Sequence, residues 1–172
     1  MVPGRFPHIA IVLAALLIVG GLAGCGGDYL RAIVLPTQGN HANGEVRFYK
    51  VEGGVRVVAK IDGLSPGKHG FHVHDKGDCS APDASSAGGH WNPDGAPHGA
   101  PTAPRGARHA GDLGNLEAGA DGIARYDRVD SLLNFAQLTG LSVLVHKGED
   151  DYVTQPSGNS GARIGCGVVG KP

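Results

Sequence analysis

The sequence predicts an all-β domain, a sandwich or flattened barrel of seven or eight short strands, and three observations predict it. Thirty glycines and eleven prolines among 172 residues disfavour helices, because these are the two worst residues in a helix interior. Short β-branched or alternating runs recur, with turn signals between them. Hydrophobic residues make up 41% of the chain and charged residues 18%, enough apolar material for one core.

The first residues stand outside that pattern. Arg5 precedes the apolar run Ile9–Val19, and small residues follow up to Cys25. A run this short suits the hydrophobic region of an export signal better than a bilayer span. A buried helix or an uncleaved anchor is the alternative, and Gly20, Gly21 and Gly24 count against it. The tetrapeptide Leu22-Ala23-Gly24-Cys25 resembles the lipobox of bacterial lipoproteins. The resemblance implies a signal peptide at 1–24, a lipidated linker at 25–29 and a domain at 30–172. The mature chain would then be exported and tethered to the bacterial cell membrane or envelope through acylated Cys25, several acyl chains giving a stable anchor. With Cys25 acylated, Cys79 and Cys166 remain as a pair. Outside the cytoplasm a disulfide persists, and closing so long a loop is worth roughly 4–5 kcal/mol in the chain-entropy account. Two buried free thiols are the alternative.

Strands are expected near Arg31–Leu35, Glu45–Val51, Gly54–Ile61, Gly70–His74, Gly122–Val129, Leu141–His146 and Cys166–Val169. Asn43-Gly44 and Gly53-Gly54 read as two-residue hairpin turns between the first three. Residues 75–121 break the pattern, being rich in Gly, Pro, Asp and His with little apolar periodicity. A structureless stretch of that length in a compact domain is either functional or disordered, so it needs pins, and Cys79 and metal ions are the candidates. A second, shorter loop is expected from Lys147 to Ala162. There is no internal repeat and no sign of a second domain. Fifteen basic and sixteen acidic residues leave a net charge of −1 with no long run of one sign, which disfavours nucleic acid as a partner.

Nine histidines are the odd feature of the composition. Phe71-His72-Val73-His74 ends a predicted strand, and alternation puts both imidazoles on one face with Phe71 and Val73 on the other. His90-Trp91-Asn92-Pro93, Pro97-His98-Gly99 and the stretch His109 to Asn115, which contains Asp112, follow in that order. His146 closes the series after Leu141–Val145. Six histidines and one aspartate are too many for one ordinary ion and divide into two sites. Three or four imidazoles without a thiolate suit Cu(II), and three histidines with one aspartate suit a closed tetrahedral zinc site.

The order FHVH, HWNP, PHG, RHAGDLGN, VH…DD and GARIGCGVV, running from about Leu30 to Val169, resembles the Cu/Zn superoxide dismutase family. The resemblance implies an eight-stranded Greek-key flattened barrel, or sandwich, with two long functional loops. It implies copper on His72, His74, His90 and His146, and zinc on His90, His98, His109 and Asp112, with His90 as the bridging imidazolate. Asp150 falls where the family has an aspartate joining ligands of the two sites. Arg163 matches the active-site arginine beside copper, and Cys79 with Cys166 matches the disulfide. The implied reaction dismutes superoxide to dioxygen and hydrogen peroxide by copper redox cycling. His90 would be released and protonated when copper is reduced, and Arg163 would attract the anion at any physiological pH. Diffusion-limited speed is a property that general accounts of enzymes give for superoxide dismutase as a class.

Four residues carry plainer readings: His69 as a structural histidine bonding loop carbonyls, His41 as an exposed turn residue, Trp91 as packing, and His8 as part of the leader. Two departures from the family stand out. The His98–His109 segment is longer than in familiar eukaryotic members, its insertion at Ala100–Arg108 carrying Arg105. The Lys147–Ala162 segment is shorter, and in it Glu149, Asp150 and Asp151 are expected to shape the field around Arg163, with Lys147 assisting steering. A copper-binding or copper-buffering lipoprotein without useful turnover is the main alternative function. An adhesion sandwich leaves the ligand set unexplained, and a zinc hydrolase lacks a general-base Glu beside an open zinc position.

Overall fold

The computed structural model describes Met1 and residues 29–172, so the expected export signal beyond Met1, Cys25 and most of the expected linker lie outside the described residues. Eight strands form one closed antiparallel barrel: β1 (Tyr29–Pro36), β2 (Asn43–Val51), β3 (Gly54–Asp62), β4 (Gly67–His74), β5 (Asp112–Ala118), β6 (Ala124–Asp130), β7 (Ser142–His146) and β8 (Arg163–Gly170). Their cyclic order is β1-β2-β3-β6-β5-β4-β7-β8. Because β3 pairs with β6 rather than β4, the β3–β4 and β6–β7 connections cross the barrel ends, which is the Greek-key feature. Two single-turn 3₁₀ helices, Ser85–Ala87 and Phe135–Gln137, are the only helical turns among the described residues.

Alternation builds the barrel wall. Leu30, Ala32 and Val34 of β1, Val46 and Phe48 of β2, and Val55, Val57, Ala59 and Ile61 of β3 all point into one core. Phe71, Val73, Leu113, Leu116, Val143 and Val145 close it from the other strands, and the Phe71 and Tyr126 rings meet edge-on at 5.2 Å. Strand β4 is buried on both faces from His69 onward. Phe71 and Val73 face the core, as the alternation requires, while loops cover His72 and His74. Trp91 joins the same core, in keeping with its reading as a packing residue, and His41 lies exposed in the β1–β2 connection.

Three expectations need correction. Residues 75–121 are not structureless to the end, because Asp112–Ala118 is β5, paired with β4 from Gly67↔Ala118 to His72↔Asp112. Its sequence hides the strand: Asp112 and Asn115 break the apolar run and are turned to the site below, so the alternation is not visible. Asn43-Gly44 is not a turn but the start of β2, and residues 37–42 make the β1–β2 connection. The β2–β3 turn is Glu52-Gly53, one residue earlier than expected, with Gly53 at φ +81°. Gly44 and Gly54 are required instead by close approach of neighbouring backbone: a Cβ on Gly44 would run into the Lys60 carbonyl, and one on Gly54 into that of Asp130.

The two long loops, residues 75–111 and 147–162, both lie beside the β4–β7 face. The first is pinned to β8 by the Cys79–Cys166 disulfide, with Cα atoms 5.8 Å apart. Around it Ala84, Ala87 and Leu144 form a small second core.

Candidate metal centre

Two clusters of ligand atoms sit under these loops: His72, His74, His90 and His146 form one, and His90, His98, His109 and Asp112 form the other. His72 and His74 come from β4 and His146 ends β7, while His90, His98 and His109 are on the first loop and Asp112 opens β5. The expected ligand residues are therefore all brought together, with His90 belonging to both groups. His90 also bridges to His74 through its main chain.

Four of the six imidazoles are held by one nitrogen and leave the other facing their cluster. His72 Nε2 donates to Asp150 Oδ2 at 2.8 Å, His74 Nδ1 to the Gly88 carbonyl at 3.0 Å, and His146 Nδ1 to the Gly161 carbonyl at 3.1 Å. His98 Nε2 donates to Asp150 Oδ1 at 2.9 Å. That leaves His72 Nδ1, His74 Nε2, His90 Nε2, His98 Nδ1 and His146 Nε2 buried with no hydrogen-bond partner. An orphaned buried polar atom costs about 1–3 kcal/mol. Four of them, on His72, His74, His90 and His146, meet in the first cluster, and His98 Nδ1 faces the second, an arrangement that suits metal ligation. Asp150 is fully buried, and both its oxygens are committed to ligand histidines.

The second cluster fits zinc in spacing. Asp112 Oδ1 lies 2.8 Å from His90 Nδ1, 3.0 Å from His98 Nδ1 and 3.2 Å from His109 Nδ1, and the His90 and His109 Nδ1 atoms are 3.3 Å apart. Four ligands about 2.0 Å from a tetrahedral zinc would be separated by about 3.3 Å. The other carboxylate oxygen, Asp112 Oδ2, accepts the Gly99 and His109 amides at 3.1 and 2.9 Å, which aims Oδ1 at the nitrogens.

The electrostatics of the metal-free chain separate the two groups. Burial holds His72 down to about 3 and His146 to about 4, and keeps His74 well below the ordinary histidine range. Their lone pairs are therefore free at neutral pH. Burial also lowers His90. At His98 burial acts in the same sense but is outweighed by the Asp112 and Asp150 carboxylates, which push it up to about 9. Burial would raise those two carboxylates, yet hydrogen bonds from the histidines hold both well below the usual range. A metal entering the second cluster at neutral pH therefore displaces a proton from His98.

Arg163, the first residue of β8, donates from Nη1 to the Ala84 carbonyl at 2.6 Å and from Nη2 to the Gly88 carbonyl at 2.5 Å. Both carbonyls belong to the disulfide-pinned part of the first loop. The guanidinium lines a cavity of about 400 Å³ together with His74, His90, His146 and Ser157. It is the only cation among the lining residues. Of the residues expected to shape the field, Glu149 is exposed and pairs with Lys68 at 2.7 Å, Asp151 caps Val153 and Thr154 in its own loop, and Lys147 does not line the cavity. Arg105 is likewise an exposed partner of Asp94. His69 does bond carbonyls, with Nδ1 at 2.8 Å from His146 O and Nε2 at 2.9 Å from Ser65 O.

Sequence reasoning missed two supports. Asn115 exchanges hydrogen bonds with the Asp150 main chain, accepting at 2.8 Å and donating at 3.0 Å. A polar residue inside an apolar strand was the available signal. Arg108 forms a buried bidentate pair with Asp130 at 2.8 and 2.9 Å and also donates to the carbonyls of His109 and Asp112. Nothing in the sequence joins residues 108 and 130.

Residues 42–169 match the protein family described as copper/zinc superoxide dismutase. The chain is 39% identical over 151 residues to superoxide dismutase [Cu-Zn] 3 of Arabidopsis thaliana, covering 82% of this chain and 90% of that protein. It is 38% identical over 161 residues to the copper chaperone for superoxide dismutase of Rattus norvegicus, covering 87% of this chain and only 58% of the chaperone. Among solved structures, the crystal structure of the clock protein EA4 superposes with a TM-score of 0.74 at 36% identity, over 85% of this chain and 96% of that one.

Proposed function

The chain belongs to the copper/zinc superoxide dismutase family, and from that premise we propose that it is a lipid-anchored dismutase of bacterial lipoprotein type. Two superoxide anions and two protons become one dioxygen and one hydrogen peroxide. His72, His74, His90 and His146 would hold copper, and His90, His98, His109 and Asp112 would hold zinc. Copper bound there would supply the one-electron redox chemistry, and zinc, fixed at one oxidation state, would not.

The chain's own residues do the rest. Arg163 keeps its charge at any working pH and presents N–H donors not used by Ala84 and Gly88 to an anion in the cavity. His90 lines the same cavity, and its Nε2 is buried with no hydrogen bond. Because burial weakens its basicity, a proton carried there is readily surrendered to reduced dioxygen. Asp150 and the Gly88 and Gly161 carbonyls fix the tautomers of His72, His74 and His146. The observation that carries the reading is that His74, His90 and His146, each with an unpartnered buried nitrogen, share one cavity with Arg163.

The chaperone relatives favour a second reading, a copper carrier without useful turnover. Arg163→Ala separates the two. A dismutase should lose at least about tenfold in rate at low ionic strength, with a flatter salt dependence and unchanged copper content. A carrier has no such rate to lose, so activity no greater than free copper in the fully loaded wild type overturns the enzyme reading.

Export and anchoring are supported by the apolar run Ile9–Val19, the lipobox-like tetrapeptide ending at Cys25 and an oxidised Cys79–Cys166 pair. Intact-mass analysis of the protein from its native host should find Cys25 as an acylated N-terminus; an unmodified thiol there would overturn the anchor.

A further inference from the structure

We propose that Gln155 is a positioning residue for the zinc centre, fixing the main chain of His98 and so the direction in which His98 Nδ1 faces the other ligands. The inference deepens the function proposed above and rests on the zinc set named there. His98 lies in an irregular stretch and makes no main-chain hydrogen bond to another main-chain group. Both of its main-chain polar groups go to one side chain instead. The His98 N–H donates to Gln155 Oε1 at 2.8 Å, and Gln155 Nε2 donates to the His98 carbonyl at 2.9 Å.

A primary amide carries one acceptor and a pair of donors on a rigid plane. Used in this way it takes the place of a neighbouring strand, and two bonds to one residue fix its rotation as well as its position. Gln155 Nε2 also donates to the Val153 carbonyl at 3.3 Å, which anchors the amide to its own loop.

The same loop grips the other side of His98. Asp150 Oδ1 accepts from the ring Nε2 at 2.9 Å. Gly158, at φ +67°, leaves room for that bond, since a Cβ there would run into the Asp150 carboxylate. The second loop therefore holds His98 at its N, O and Nε2 atoms, while the Nδ1 atom stays buried, without a hydrogen bond, 3.0 Å from Asp112 Oδ1. The residues from His98 to His109, longer than the family pattern suggests, contribute none of these three bonds. Glu at 155 would lack the donor for the carbonyl, and Asn would fall one methylene short.

The test uses the purified full-length chain with Gln155→Met, which keeps the bulk and loses both bonds, and Gln155→Asn as a milder change. Zinc affinity is read by competition with a chromophoric chelator, and geometry by the visible absorption of Co(II) placed in the zinc site. Copper affinity and the unfolding of the metal-free protein are measured alongside. Zinc affinity should fall roughly 10–100-fold in Gln155→Met, with an altered Co(II) spectrum and copper affinity within about threefold of wild type. Gln155→Asn should move in the same direction by less, and it decides the matter if Gln155→Met does not fold. Unchanged zinc affinity and Co(II) spectrum, or equal losses at both metals, would show Gln155 to be a tie between loops and overturn the proposal. The dismutase reading would stand in that event, because no dismutation rate enters the comparison.

Discussion

Cys79→Ser should lower the stability of the protein by about 4.6 kcal/mol, the chain-entropy value for a loop of 87 residues. For a domain of this size that corresponds to a fall in Tm of roughly 10–18 °C. Catalysis should suffer beyond the loss of stability. The covalent bond pins the part of the first loop that supplies the Ala84 and Gly88 carbonyls to Arg163, and Gly88 also accepts from His74. At a temperature where the variant is folded and fully metal-loaded, its rate should still be reduced. Cys166→Ser should match Cys79→Ser, and the double variant should be no worse than either, since all three remove the same bond. Calorimetry finding less than about 3 °C between wild type and variant would refute the stabilising role.

The second large effect is expected at Arg108. Its pairing partner Asp130 is 7% exposed and Arg108 itself 3%. Arg108→Ala strands a buried carboxylate, and breaking a buried pair from one side costs about 3–5 kcal/mol. The arginine also binds the carbonyls of His109 and Asp112, two residues of the second cluster, so affinity for the zinc proposed there should fall with stability. Arg108→Lys should recover little, because one ammonium cannot reproduce the planar fork that meets both Asp130 oxygens and the two carbonyls. Urea unfolding of the metal-free protein gives the energy directly, and a loss under about 1 kcal/mol would show that Asp130 is adequately served by the Leu132 and Leu133 amides.

Seven of the eight strands were legible, most plainly where inward apolar residues recur at period two, as Leu30, Ala32 and Val34 do in β1. Strand β5 was not, because Asp112 and Asn115 interrupt it for the sake of the metal centre. The hairpin turns were misplaced by glycines that serve close backbone approach rather than the turn itself, Gly44 being the plainest case. The ligands were legible for a related reason. Alternation alone puts His72 and His74 on one face, and the remaining ligands fall in motifs of recognisable order. What holds the ligands was mostly hidden. Arg108 with Asp130, and Gln155 with His98, are meetings between segments far apart in sequence, created only when the loops fold against the barrel. Asp150 is the exception, found through its place in the family pattern.

Asp150 ties the two metals into one thermodynamic system. Its oxygens hold His72 of the first cluster and His98 of the second, and His90 belongs to both clusters. Filling either position orders groups that the other needs, so the second ion enters a site already partly prepared. By linkage the effect is reciprocal: whatever factor zinc adds to copper affinity, copper must add to zinc affinity. The order of loading can then change the rate at which the holoenzyme is assembled, while the free energy of the fully loaded protein is the same by either route.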